Sequence, residues 1–111
     1  MAKNAFGTHV VAREQFVVRR PEGVTAAQAV AVPSAFLTAA YALERLGRMR
    51  RGDRVLVHAA AGGVGLAAVR LAQRAGAEVL ATAGSEDKRS FLRSLGVEHV
   101  HAPDRAPLAE L

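Results

Sequence analysis

The sequence predicts an α/β protein, one half of a doubly wound parallel sheet, on three observations. Apolar runs of strand length at residues 54–58, 78–82 and 97–100 alternate with amphipathic helical patterns at 64–75 and 86–95. The connections between them are short, as parallel strands joined by right-handed crossovers require. A loop of small residues, Ala59 to Gly65, lies between the first strand and the first helix.

Each element follows from local chemistry. Residues 8–20, Thr-His-Val-Val-Ala-Arg-Glu-Gln-Phe-Val-Val-Arg-Arg, are β-rich and read as one or two short strands, ended by the turn Pro21-Glu22-Gly23. Thr25 and Gln28 form a capping box that starts a short helix over about residues 26–31. Pro33-Ser34 interrupts it, and Ser34 can cap a second helix over roughly 35–47. Phe36, Leu37, Ala40, Leu43 and Leu46 supply that helix with an apolar face. Gly47 and Gly52 then bracket a basic turn before the strand Arg54–His58. The helix over 64–75 packs through Leu66, Val69, Leu71 and Ala72 and stops at Gly76. Glu78–Thr82 is the second strand, and Ser85 caps a helix over about 86–95 with Phe91, Leu92 and Leu95 inward. Gly96 ends it, and Val97–Val100 is the third strand. The last eleven residues, with Pro103 and Pro107, have no periodicity.

Composition excludes several classes. The 111 residues are about one domain's worth, half of them hydrophobic and 23% charged, which is globular and not disordered. The most apolar stretch, Val55 to Ala83, is broken by His58, Arg70, Gln73, Arg74 and Glu78, so no membrane span is expected. Met1-Ala-Lys-Asn4 leads into no apolar run of signal-peptide length, and a cytoplasmic location is the expectation. The absence of cysteine removes disulfides, thiolate zinc sites and cysteine nucleophiles. The net charge of +5 concentrates in Arg45, Arg48, Arg50, Arg51 and Arg54, with no aromatic residues interleaved. That pattern reads as a solvated helix end and turn, and no nucleic-acid partner is expected. His99 and His101 share one strand face but lack a third ligand, so no metal site is expected. No serine sits in a glycine-bounded elbow, and hydrolase chemistry has no support.

The informative segment is His58-Ala-Ala-Ala-Gly-Gly-Val-Gly-Leu66, between a strand and a helix. Gly62 lets the backbone approach a diphosphate, and Gly65 lets the helix pack tightly on the strand. The free N–H groups at the helix start, helped by the helix dipole, then bind the diphosphate, with Ala61, Gly62, Gly63, Val64 and Gly65 as the candidate loop residues. Ala60 stands at the first glycine of the fingerprint, giving A-x-G-x-x-G, and the surrounding βαβ unit supplies the specificity that the motif alone lacks. An NAD site needs a carboxylate at the end of the second strand. Here that position is Thr82-Ala83-Gly84-Ser85, and Ser85, Lys88 and Arg89 suit a 2′-phosphate, so NADP(H) is the expected cofactor. Glu86 and Asp87 lie one step further on the helix and should point to water.

With these residues the chain resembles the enoyl reductase domain of modular (type I) polyketide synthases, in the zinc-free branch of the medium-chain dehydrogenase/reductase superfamily. The segments that carry it are 6–10, 33–39, 41–43, 52–68 and 76–83; beyond residue 101 only Asp104-Arg105 resembles the family's Ser-Arg element, with Asp104 in place of serine. The resemblance implies reduction of an acyl-carrier-protein-bound 2-enoyl thioester by hydride from NADPH. It places Thr38 at the nicotinamide end, Gly62, Gly63, Val64 and Gly65 at the diphosphate and Lys88 at the 2′-phosphate. Thr38 can also be read as a mid-helix threonine bonded back to its own helix, and Tyr41 as a packing residue.

The resemblance also implies a division. Residues 1–50 would be the end of a GroES-like, β-rich substrate domain with its linking helices, and 51–111 the first three strands of a Rossmann-type NADP-binding domain. The family's proton donors lie beyond this stretch, so no catalytic residue is assigned and the chain alone is expected to be inactive. Two other readings stay open: a free-standing NADPH enzyme of the quinone oxidoreductase kind, and a non-catalytic nucleotide-binding remnant. An unpaired first strand would also allow self-association.

Overall fold

The computed structural model describes residues 6–105, so Met1–Ala5, Pro107 and the other residues after Arg105 lie outside it. Chain contacts divide it into two units, with the boundary after Pro33.

Residues 6–33 contain a single 3-10 turn, Glu14–Phe16, and the start of a helix; the strands expected over residues 8–20 do not form. A strand exists only where a neighbour takes its backbone hydrogen bonds. Among the described residues none does so here, and Val11 is 98% exposed and Val18 88%. The capping box does form. Gln28 N–H donates to Thr25 Oγ1 at 3.2 Å, and Thr25 N–H donates back to Gln28 Oε1 at 2.9 Å.

Helix α1 then runs Ala26–Ala40, with Pro33 inside it. The expected break at Pro33-Ser34 is therefore corrected. Proline removes one N–H, but its fixed φ is helical, and the chain on both sides keeps the helix going. A π-helical turn, Tyr41–Leu46, continues α1, closed by Gly47 N–H donating to the Ala42 carbonyl at 2.8 Å. A Cβ on Gly47 would lie 3.1 Å from two carbonyl oxygens of that turn, so glycine lets it close. The joined helix Ala26–Leu46, 21 residues of mean hydropathy 1.4 in its most apolar window, has the length and composition to cross a membrane. Its inward face also differs from the expected one: Ala39 is buried and Ala35, Ala40 and Leu43 half-buried, while Phe36, Leu37 and Leu46 are exposed.

Residues 34–105 hold the sheet. Strands β1 (Arg54–Val57), β2 (Glu78–Thr82) and β3 (His99–His101) are parallel in the order β1-β2-β3. Val57 pairs with Ala81, and Thr82 with His101. Helix α2 (Gly63–Ala75) joins β1 to β2, and α3 (Glu86–Ser94) joins β2 to β3. The connectivity and strand order are those of half a doubly wound sheet. Gly76, with φ 76°, terminates α2, and Ala77 N–H returns to the Ala72 carbonyl at 3.0 Å.

The core cluster centres on Leu92 and Val69, with Ala67, Ala68, Ala72 and Ala81 filling the space between α2 and the sheet; Leu80 is fully buried too, but outside that cluster. Alanine on the inward face lets the helix lie close, so Leu66 and Leu71 sit at its margin instead of at its centre. On α3 only Leu92 is fully buried. Phe91, one helical step away, is 47% exposed and does not face inward as the spacing suggested.

Candidate nucleotide-binding site

β1 and β2 are parallel, so their carboxyl ends lie on the same edge of the sheet, and the loop His58–Gly62 leaves β1 there. Two hydrogen bonds fold it back: Ala60 N–H donates to the Thr82 carbonyl at 2.9 Å, and Gly62 N–H to the Ala59 carbonyl at 2.9 Å. Gly62 is the N-cap of α2 and offers no side-chain cap. Leu66 N–H is the first in the helix to find a partner, the Gly62 carbonyl at 2.8 Å. The N–H groups of Gly63, Val64 and Gly65 are left at the positive end of the helix dipole, with no acidic residue in the first turn.

The glycines of this loop are required for different reasons. A Cβ on Gly65 would stand 2.5 Å from the Ala59 carbonyl oxygen and 2.7 Å from Ala60 Cα, so the fold itself demands glycine there. A Cβ on Gly62 would meet one carbonyl oxygen at 3.3 Å, and one on Gly63 would meet nothing within 4 Å. Nothing in the described protein fills the space above Gly63. A side chain there would project into that open space, which a ligand lying close to the backbone needs to be clear.

Beside the loop, Ala59, Ala61, Gly62, Ala83, Gly84 and Lys88 line a cavity of about 130 Å³. The structure thus brings Ala61, Gly62 and Lys88 together, with Gly63, Val64 and Gly65 on the adjoining turn. Ser85 caps α3 by accepting the Lys88 N–H at 3.4 Å. Arg89 turns elsewhere, donating to the Ala83 carbonyl at 2.8 Å and to Glu86 Oε2 at 2.9 Å. Glu86 also takes Arg93 at 2.7 Å, and the Arg93 and Arg89 bonds together hold its carboxyl below the ordinary 4.5. Exposed as it is, Glu86 is therefore spoken for by two guanidinium groups instead of facing water alone. Thr38 is exposed and donates to the Ser34 carbonyl at 2.7 Å; no described contact joins it to this cavity.

The sequence places Thr82, Gly84 and Ala59 in the cofactor-discriminating segment and the loop, but does not show that Ala59 and Gly84 line the cavity or that Thr82 ties the loop down. The spacing of the glycines marks the ligand side of the loop, whereas Thr82 and Ala59 hold it from below. Among the described residues no three His, Asp or Glu side chains gather as metal ligands, so the donor set does not fit a zinc ion.

The profile of the family described as zinc-binding dehydrogenase matches residues 63–111. A mycocerosic acid synthase-like polyketide synthase of Mycobacterium tuberculosis is 47% identical over 105 residues, 95% of this chain and 5% of that protein. Among solved structures, the CurK enoyl reductase is 50% identical with a TM-score of 0.76, over 79% of this chain and 26% of that one. A quinone oxidoreductase of Thermus thermophilus, whose structure with NADPH is also known, is 43% identical with a TM-score of 0.69, over 77% and 30%. The chain thus spans about one twentieth of the polyketide synthase and about a quarter of the enoyl reductase chain it matches. Its sheet order, glycine loop and sequence agree in one conclusion: the chain belongs, as a partial domain, to the enoyl reductases of modular polyketide synthases.

Proposed function

We propose that the chain is a piece of an NADPH-dependent enoyl reductase acting on 2-enoyl thioesters carried by an acyl carrier protein. In this reading residues 1–50 are the end of the GroES-like substrate domain and its linking helices. Residues 51–111 are the first half of the NADP-binding domain. The observation that carries the proposal is the Lys88-lined cavity at the carboxyl edge of the sheet, whose wall includes Gly62, the residue from which α2 starts with its first N–H groups unpartnered.

The residues present fit the cofactor. The N–H groups of Gly63, Val64 and Gly65 would hold the diphosphate without needing a cation. Ala61, Gly62, Ala83 and Gly84 leave room for the adenosine ribose, and Lys88 would meet the 2′-phosphate with Ser85 beside it. Arg89 would act through the backbone at Ala83, where its guanidinium holds the carbonyl that ends β2. Thr38 is assigned to the nicotinamide end on the resemblance. The cofactor when bound supplies the hydride. No residue of this chain is assigned as proton donor.

The helix Ala26–Leu46 is read as part of the reductase and not as a membrane span, because the 105-residue match to a polyketide synthase leaves room for it only within the shared segment. We take the compartment to be the cytoplasm, with no nucleic-acid partner. Among the described residues β1 has a neighbour on one side only, and the crevice of a doubly wound sheet opens where the next strand joins β1. The isolated chain should therefore bind NADPH weakly, reduce no crotonyl thioester, and be prone to associate through that edge.

The test is calorimetric titration of wild type and Lys88→Ala with NADPH and NADH. Removing the ammonium should weaken NADPH about tenfold, one charge-assisted contact, and leave NADH within about twofold. Equal losses for both would remove the 2′-phosphate assignment. The quinone oxidoreductase alternative rests on the same loop and the likeness to the Thermus protein. Open reading frames without ketosynthase or acyltransferase coding on either side would favour it.

A further inference from the structure

Thr82 is the buried polar residue of the described core, 1% exposed at the carboxyl end of β2. Its hydroxyl lies 3.1 Å from His58 Nδ1 and accepts the Ala59 N–H at 3.4 Å, while its carbonyl accepts the Ala60 N–H at 2.9 Å. Between those two N–H groups sits Ala59 with φ 50°, a left-handed conformation that side-chain-bearing residues rarely adopt. Such a conformation persists only where the surroundings over-determine it. Here both peptide groups flanking Ala59 are tied to one residue, Thr82, and Ala60 is fully buried against the core.

The same hydroxyl decides the state of His58. A hydroxyl has one proton to give and two lone pairs to receive. The Ala59 N–H takes one lone pair. If His58 Nδ1 were protonated it would take the other, and the Thr82 proton would be buried with no acceptor among the described residues. If Nδ1 is bare, the Thr82 O–H donates to it and every group is satisfied. The proton of the neutral imidazole then sits on Nε2, on an exposed ring beside the glycine loop.

We propose that Thr82 is a positioning residue for the nucleotide loop: its side chain and carbonyl hold Ala59 left-handed, and its O–H fixes His58 as the Nε2–H tautomer, an N–H donor at the carboxyl edge of the sheet. Its service to a dinucleotide oxygen rests on the function proposed above; the tautomer and the Ala59 conformation do not. The role complements Gly65, which admits the loop from the helix side.

Long-range proton–nitrogen correlation spectra of the ligand-free 111-residue chain, at about pH 8.5 where histidine is neutral, read the tautomer directly. Wild type and Thr82→Ser should both show His58 protonated at Nε2 with no detectable Nδ1–H form, and Thr82→Val should relax it to the mixed tautomers of a free imidazole, in which Nε2–H only predominates. Thr82→Val should also weaken NADPH about tenfold, as one lost hydrogen bond would, with Thr82→Ser restoring it. Adding Ala59→Gly should shrink the valine penalty, since glycine holds a positive φ without help. An Nδ1-protonated His58 in the wild type overturns the proposal, and so does an unchanged tautomer population in Thr82→Val. If Thr82→Val does not fold, the wild-type and serine spectra still decide. The expected tautomer together with no NADPH binding would sink the functional reading and leave this inference standing.

Discussion

Residues 8–20 and Glu78–Thr82 are both β-rich, yet only the second is a strand. Val18 is 88% exposed, and Leu80, in an equally apolar pair, is fully buried. Strand propensity spans only about 1 kcal/mol, less than the backbone entropy lost in ordering a few residues. The deficit is made up by a neighbour that takes the hydrogen bonds and by a layer that covers the side chains. β2 has β1 and β3 on its two sides and α2 packed against it. No such partner reaches residues 8–20 among the described residues.

This contrast can be broken by substitution. The largest effect is expected within the covered region, at Gly65→Ala, whose Cβ would overlap the Ala59 and Ala60 backbone. We expect a loss of about 3 kcal/mol in urea unfolding, at the upper end of overpacking costs. Gly63→Ala should stay within about 0.5 kcal/mol of wild type, because its Cβ enters open space; it should instead weaken nucleotide binding. Similar losses of stability for both would show that Gly63 is also a packing position. Leu92→Ala should cost about 2–3 kcal/mol and Val18→Ala less than about 0.5. A comparable cost at Val18 would mean that residues 8–20 are covered in solution.

The smallest effect is at Glu86. Its carboxyl is held below the ordinary 4.5 by Arg93 and Arg89, so the two pairs contribute above that value and are lost as the pH falls below it through the depressed one. Glu86→Gln should remove a small part of the acid sensitivity below about pH 4.5 and change little at neutrality, as exposed pairs do.

Much of the sheet region was legible because each signal there is local. The bounds of β2 came from apolar residues between Gly76 and Gly84, and the two caps at Thr25 and Ser85 from side chains whose partners lie three residues on. The glycine loop was legible from spacing. What escaped depends on groups far apart in sequence. The Ala59 φ is set by Thr82, 23 residues away, and an alanine carries no mark of a left-handed conformation. Arg89 donates to the Ala83 carbonyl and to Glu86, and its basic character alone does not reveal either partner. Pro33 suggested a break because its missing N–H is a local fact, whereas helix continuation depends on the turns on either side.

We propose that the loop Gly62–Gly65 and Lys88 form the dinucleotide site of a partial reductase domain. This is tested most directly by following backbone amide resonances of the chain during titration with NADPH, where even weak binding is visible. Shifts should concentrate at Gly62, Gly63, Val64, Gly65 and Lys88, with the Lys88 shift much reduced when NADH replaces NADPH. No shifts up to millimolar NADPH, or shifts gathered away from this edge of the sheet, would contradict it.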